Sequence, residues 1–160
     1  MCGISGFIGL KNYFPKTKNI KSLLLSMKRR GPDANGISIK KFKKMSMIFL
    51  HTRLSIIDLQ KKSNQPFEDE KGVLSFNGEI YNYLELKKIL SDDGFNFKTT
   101  SDTEVLLNSY IKWGVDLLNK IKGMFAFAIY DKKKNQIFCA RDHFGQKPFF
   151  YYYKDSNFIF

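Results

Sequence analysis

Cysteine is scarce in this chain, with Cys2 and Cys139 the only two in 160 residues. Two thiols cannot staple a small secreted domain, so a disulfide scaffold is excluded and nothing points to export. Long apolar runs are missing as well. The longest, Met124 to Tyr130, falls far short of the roughly 20 residues that a membrane-spanning helix needs. The N-terminus also lacks the basic stretch and long apolar run of a secretory signal. A cytoplasmic protein without a membrane partner is the expectation. Histidine is nearly absent, and Cys2, His51, Cys139 and His143 show no paired C-x2-C or H-x3-H spacing, so no metal site is expected. Arginine is the last shortage. Lys plus Arg number 27 against 15 acidic residues, a net charge of +12. Yet only Arg29, Arg30, Arg53 and Arg141 carry the planar fork that reads phosphates and bases bidentately. The lysines are scattered in short runs such as Lys40-Lys41, Lys43-Lys44 and Lys132 to Lys134, and they read as solvated surface without a nucleic-acid partner. A basic binding protein is the weaker alternative.

What is abundant is apolar volume. The hydrophobic fraction is 43% and the aromatic fraction 16%, with sixteen Phe and eight Tyr. That suffices for the core of one domain and excludes a disordered tail. Residues 2–10 read as a strand opening the chain. From Thr17, a candidate N-cap, Ile20, Leu23, Leu24 and Met27 fall at helical spacing, closed by RGPDANG. Residues 36–42 and 45–54 read as a hairpin, 58–71 as a polar loop, and GVLSFNG as a strand running into a helix from about Ile80 to Asp93. A further helix starts near Ser101, where Ser101 and Glu104 form a capping-box pattern, and it aligns Leu106, Tyr110 and Trp113. GMFAFAIYD and QIFCARD around KKKN, and then FFYYYKDSNFIF, read as two more hairpins, the final strand barely begun. Strands in groups with helices between them, without βαβ alternation, predict an α+β fold of mainly antiparallel sheets with helices packed outside.

Cys2 carries the most chemistry. A small residue after Met1 allows removal of the initiator, which would leave a thiol and a free α-amine on one residue. Their reference pKa values, about 8.5 and about 7.7–8.0, allow proton exchange between them without large tuning. An N-terminal amine serving as base for its own nucleophilic side chain is an established arrangement. The competing reading of Cys2 is a small buried hydrophobe.

The motifs MCGISGFIGL, RGPDANG, HTRLSIIDL, FNGEIYNYLEL, SDTEVLL, GMFAFAIYD and ARDHFGQKPFFYY occur in this order. Together they resemble the class II glutamine amidotransferase domain, an N-terminal-nucleophile glutaminase, over residues 2–153. HTRLSIIDL is similar to the branch found in glutamine-hydrolysing asparagine synthetases. The resemblance implies an αββα sandwich and a set of roles. Cys2 would be the nucleophile, and Asn77 and Gly78 the oxyanion donors. Arg53 would clamp the glutamine α-carboxylate, the backbone of Leu54, Ser55, Ile56 and Ile57 would form a pocket wall, and Asp102 with Glu79 would hold the α-ammonium. Each type suits its task, since a tetrahedral oxyanion needs preorganised N–H donors and a carboxylate suits a guanidinium fork. Other readings compete: an Asn-Gly turn for Asn77-Gly78, a helix cap for Asp102 and a first-turn helix charge for Glu79. Arg30 and Asp33 are expected to support the N-terminus, and Cys139, His51 and His143 to be structural.

The implied reaction is hydrolysis of L-glutamine to glutamate and ammonia through a Cys2 thioester, with no cofactor for that step. Asparagine synthetases continue into an ATP- and Mg-dependent synthetase domain with an SGGxDS-like loop, which residues 2–160 lack. The chain is therefore expected to be a glutaminase domain incomplete at its C-terminal end, with a synthetase domain or subunit as the ammonia-accepting partner. A catalytically idle remnant, or a regulatory module that binds glutamine, is the alternative.

Overall fold

A computed structural model describes residues 1–160. The chain begins as β1 (Gly3–Leu10), followed by a short 3-10 turn, α1 (Thr17–Met27), β2 (Ala34–Lys41) and β3 (Met45–Arg53). Next come β4 (Phe67–Glu68), β5 (Gly72–Ile80), α2 (Tyr83–Asp92) and α3 (Asp102–Trp113), and finally β6 (Gly123–Asp131), β7 (Gln136–Arg141), β8 (Tyr152–Lys154) and β9 (Asn157–Ile159). The strands form two sheets of orders β2-β3-β1-β9-β8 and β4-β5-β6-β7. Every strand pairing is antiparallel.

The apolar spacing of each element decides its layer. Ile20 of α1, with half-buried Leu24 and Met27, packs on Phe7, Ile48 and Leu50 of the first sheet. Met47, Phe49, Val73, Ala128 and Tyr130 fill the space between the sheets. On the far side, Leu86 and Leu90 of α2 and Val105, Leu106, Leu107 and Tyr110 of α3 close over Leu74, Phe76, Ile80, Phe125, Phe127 and Ile129. The result is an α+β fold of antiparallel sheets with helices outside, as the element pattern predicts, in the αββα order that the resemblance implies. No helix is long and apolar enough to cross a membrane.

Several local expectations change. Lys16, not Thr17, is the N-cap of α1, and no side-chain cap bond forms there. Asn77-Gly78 is not a turn. The strand runs through both residues to Ile80, because Asn77 pairs with Ala126 and Gly78 with Phe125 on β6. That places Glu79 in a strand, which removes the helix-charge reading, and α2 begins only at Tyr83. Ser101 does cap α3, accepting from the Thr103 N–H. Glu104, however, bypasses the expected reciprocal bond and accepts from the N–H groups of Lys98 and Thr99 and the Thr99 hydroxyl. The terminal strand β9 lies between β1 and β8, and Gly6 and Phe160 exchange backbone bonds.

Candidate active site

Cys2 stands at the head of β1. The pairing of Gly3 with Thr52 sets it against the residues leaving β3, and the Leu54 N–H donates to Cys2 Sγ at 3.4 Å. Arg30 Nε donates to the Cys2 carbonyl at 3.1 Å, and Asp33 Oδ2 accepts the Ser55 N–H at 2.7 Å. The RGPD loop thus ties the chain's start to the loop after β3. Gly31 permits this approach, because a Cβ there would lie 2.3 Å from the Thr52 carbonyl carbon. Burial pushes the Cys2 thiol above its ordinary range, against the opposing pull of the Leu54 N–H, the terminal ammonium and Arg53.

The facing wall is β5. Its Phe76 N–H donates to Gln65 Oε1 at 2.7 Å, and its Ile80 N–H donates to Asp102 Oδ2 at 3.1 Å. Both therefore point away from β6. Backbone groups alternate in direction along an antiparallel strand, so the Gly78 N–H between them points to the same edge. Its partner Phe125 agrees, since its N–H and C=O are both engaged by Asp142 on the β7 side. The strand β4 covers β5 only at Val73 and Leu74, which leaves this edge open at residue 78. Side chains alternate too. Leu74, Phe76 and Ile80 face the helices and Val73 faces the other sheet, which sends Asn77 and Glu79 toward β1. At Gly78 a Cβ would come within 2.1 Å of the Met124 carbonyl oxygen, so only glycine fits.

Between these walls lies a cavity of about 180 Å³, lined by Cys2, Arg53, Leu54, Ile56, Ile57, Asn77, Gly78, Glu79 and Asp102, with Met1, Gln65, Phe76, Ser101, Thr103, Met124 and Lys147 completing it. Drug-sized sites run to about 300–1,000 Å³, so this one suits an amino acid. All the residues assigned from sequence meet here except Ser55, whose backbone is turned to Asp33. Asp102 is buried, and burial, aided by Glu79, raises its carboxyl pKa to about 6 despite bonds from the Ile80 N–H and Ser101. It heads α3 just after the cap, so the capping role falls to Ser101 and Asp102 faces the cavity.

Arg53 differs from the expected free clamp. Its Nη1 donates to the Gln60 carbonyl at 3.2 Å and to Asn64 Oδ1 at 2.7 Å, and its Nη2 donates to the Ile57 carbonyl at 3.1 Å and closely to that of Asp58. Four of its five N–H donors hold the loop after β3 in shape. The signal that could have foretold this is the polar loop itself, whose carbonyls lack strand partners.

The remaining candidates scatter. Nε2 of buried His51 meets the Phe76 carbonyl at 3.1 Å, and burial lowers its pKa to about 4. Cys139 sits on β7 beside the inter-sheet core, where burial lifts its thiol to about 12. No three His, Cys, Asp or Glu side chains come together in a way that could hold a metal. Sequence reasoning missed Lys147, Gln65 and Met124 as cavity residues. Gln65 joins β5 to α3, its Nε2 donating to Thr103 Oγ1 at 3.3 Å.

The family model described as a glutamine amidotransferase domain matches residues 1–160. The chain is 43% identical to a putative glutamine-hydrolysing asparagine synthetase 2 of Methanocaldococcus jannaschii, aligning over 100% of this chain and 33% of that one. It is 38% identical to glutamine-hydrolysing asparagine synthetase 3 of Bacillus subtilis, over 100% of this chain and 26% of that one. The chain therefore spans a quarter to a third of the length of these relatives. The solved glutamine phosphoribosylpyrophosphate amidotransferase of B. subtilis superposes with a TM-score of 0.76 at 21% identity, over 99% of this chain and 41% of that one, a likeness of fold. The motif order, the αββα sandwich and the whole-length match agree: the chain belongs to the glutamine amidotransferase domain family.

Proposed function

We propose that this chain hydrolyses L-glutamine to glutamate and ammonia, with Cys2 as an N-terminal nucleophile once Met1 has been removed. The observation that carries the reading is the single cavity in which Cys2, Asn77, Gly78, Asp102 and Arg53 meet. The Cys2 α-amine takes the thiol proton, and the sulfur attacks the glutamine carboxamide carbon. A C–S bond forms, and the carbonyl oxygen becomes an oxyanion held by the Asn77 carboxamide and the Gly78 N–H. Collapse breaks the C–N bond, and the leaving nitrogen takes the proton from the α-ammonium and departs as ammonia. Water then cleaves the γ-glutamyl thioester, releasing glutamate and restoring the thiol. Asp102 and Glu79 hold the substrate ammonium. Arg53 supplies positive charge at the carboxylate while shaping the wall of residues 54–57.

The step needs no cofactor. The relatives' names and their greater length support a larger protein in which a synthetase domain or subunit accepts the ammonia, and ATP and Mg would belong to that part. The test is glutamate release from glutamine by the chain and by Cys2→Ala, with Met1 removal checked by mass spectrometry. Release by the processed chain alone is expected, and equal rates in both would defeat the nucleophile assignment. A glutamine-dependent thermal shift without turnover would assign a binding module instead.

A further inference from the structure

Among the buried charged side chains, Lys147 stands apart. Arg53 donates to three carbonyls and an amide oxygen, Asp102 and Glu104 accept backbone N–H groups, Asp131 accepts from Lys134, and Asp142 accepts four backbone N–H groups. Lys147 is only 6% exposed, yet its Nζ reaches no carboxylate. Its one polar contact is the thioether Sδ of Met1, at 3.1 Å. Withdrawing an ammonium from water for a thioether is costly, so a fold that keeps such a group in a cavity wall calls for a use.

The surrounding loop aims it. Asp142 Oδ1 accepts the Phe144 and Gln146 N–H groups at 3.1 and 2.9 Å, and Oδ2 accepts those of Lys147 and Phe125 at 3.0 and 3.2 Å. The backbone of Lys147 is thereby fastened to β6, and its side chain enters the cavity that Cys2 and Met1 line. Its Nζ touches the side chain of Met1, the residue whose carbonyl is joined to the Cys2 nitrogen, and all three residues line one cavity.

We propose that Lys147 is a positioning residue for the N-terminal nucleophile: its ammonium keeps the α-amine uncovered by loss of Met1 in the free-base form that can accept the thiol proton. The inference rests on the glutaminase reading given above. A nearby cation disfavours protonation of an amine, so it lowers the pH at which the base becomes available. The other charges about Cys2 do not do this alone. Arg30, bonded to the Cys2 carbonyl, and Arg53, held by the loop, act in the same direction from fixed positions. Asp102 and Glu79, in the same wall, favour the protonated amine, and neutral His51 is turned to the Phe76 carbonyl.

The test uses the Met1-processed chain in a Cys139→Ser background, labelled with ¹³C-cysteine, so that NMR reads the Cys2 α-amine titration directly while glutamate release is followed against pH. Lys147→Gln should move the amine midpoint up by about one pH unit, with about a tenfold loss of turnover at pH 7 that recovers as pH rises. Lys147→Arg should restore both. Should Lys147→Gln fold poorly, Lys147→Met gives the same reading with an apolar side chain of similar length. An unmoved midpoint in the folded uncharged variant, or an arginine variant as impaired as the glutamine one, overturns the inference. A midpoint that moves in a chain that never releases glutamate keeps the inference and sinks the glutaminase reading. Turnover with an unmoved midpoint does the reverse.

Discussion

The two walls of the cavity are built differently. The β5–α3 wall, which presents Asn77, Gly78, Glu79 and Asp102, is backed by a cluster of 15 buried apolar residues under α2 and α3. The opposite wall, formed by the head of β1, the end of β3 and the loop to β4, is backed under α1 by a cluster of 4, and α1 buries only Ile20 outright. The polar economy follows the same division. On the thick side, backbone donors are fixed in a strand register with one N–H, that of Gly78, left facing the cavity. On the thin side, Arg53 spends four donors on holding a loop that has no strand pairing of its own. In the proposed reaction the oxyanion donors would thus sit on the better-packed half, and the nucleophile and the carboxylate end on the half that must be braced. This is the distribution that electrostatic preorganisation favours, because donors fixed before reaction need no reorganisation during it.

Substitutions on each side sharpen the contrast. The largest effect belongs to the thin wall: Cys2→Ala should remove glutamate release down to background while leaving the thermal midpoint close to that of the parent, as measured by a coupled glutamate assay and calorimetry. Next comes the thick wall's donor. Asn77→Ala should lower kcat by about 10²- to 10³-fold, corresponding to about 2.7–4 kcal/mol, with a much smaller change in KM, because the carboxamide meets charge that exists only after attack. A KM effect larger than the kcat effect would reassign Asn77 to substrate binding.

Core truncations compare the two supports without touching the chemistry. Leu106→Ala, in the fully buried centre of the thick side, should cost about 3–5 kcal/mol in urea unfolding, whereas half-buried Leu24→Ala on α1 should cost about 1 kcal/mol. Equal costs would dissolve the distinction between the walls.

The smallest effect is one of pH. Burial and Glu79 raise the Asp102 pKa to about 6. Above that pH the carboxylate is charged and can pair with the glutamine α-ammonium, and below it the group is neutral and the pairing is lost. KM should therefore rise as pH falls through about 6, and Asp102→Asn should carry the high KM at every pH. A flat KM between pH 5 and 7 in the parent chain would remove Asp102 from substrate binding.

Much of this was legible in the sequence, for reasons that can be named. The apolar spacing of α1 and α3 and the alternation in the strands gave the layers, and the ordered motifs brought Cys2, Arg53, Asn77, Gly78, Glu79 and Asp102 to one place. What stayed hidden depends on partners distant in the chain. Asn-Gly is a turn signal locally, and only pairing with Ala126 and Phe125 forces it into a strand. Arg53 reads as a free fork until the loop carbonyls that it must satisfy are folded around it. Lys147 lies inside a recognised motif, but one lysine among so many carries no mark. It is its burial, delivered by the four N–H groups on Asp142, that singles it out.

The most direct test of the central claim is the covalent state of Cys2 during turnover. The processed chain, mixed with glutamine and quenched in acid, should show by intact-mass and peptide analysis a γ-glutamyl group on the Cys2 sulfur that decays as glutamate appears. It should be absent from Cys2→Ala and from chain that retains Met1. Glutamate release with Cys2 unmodified throughout, or a glutamyl group on Cys139, would contradict the account.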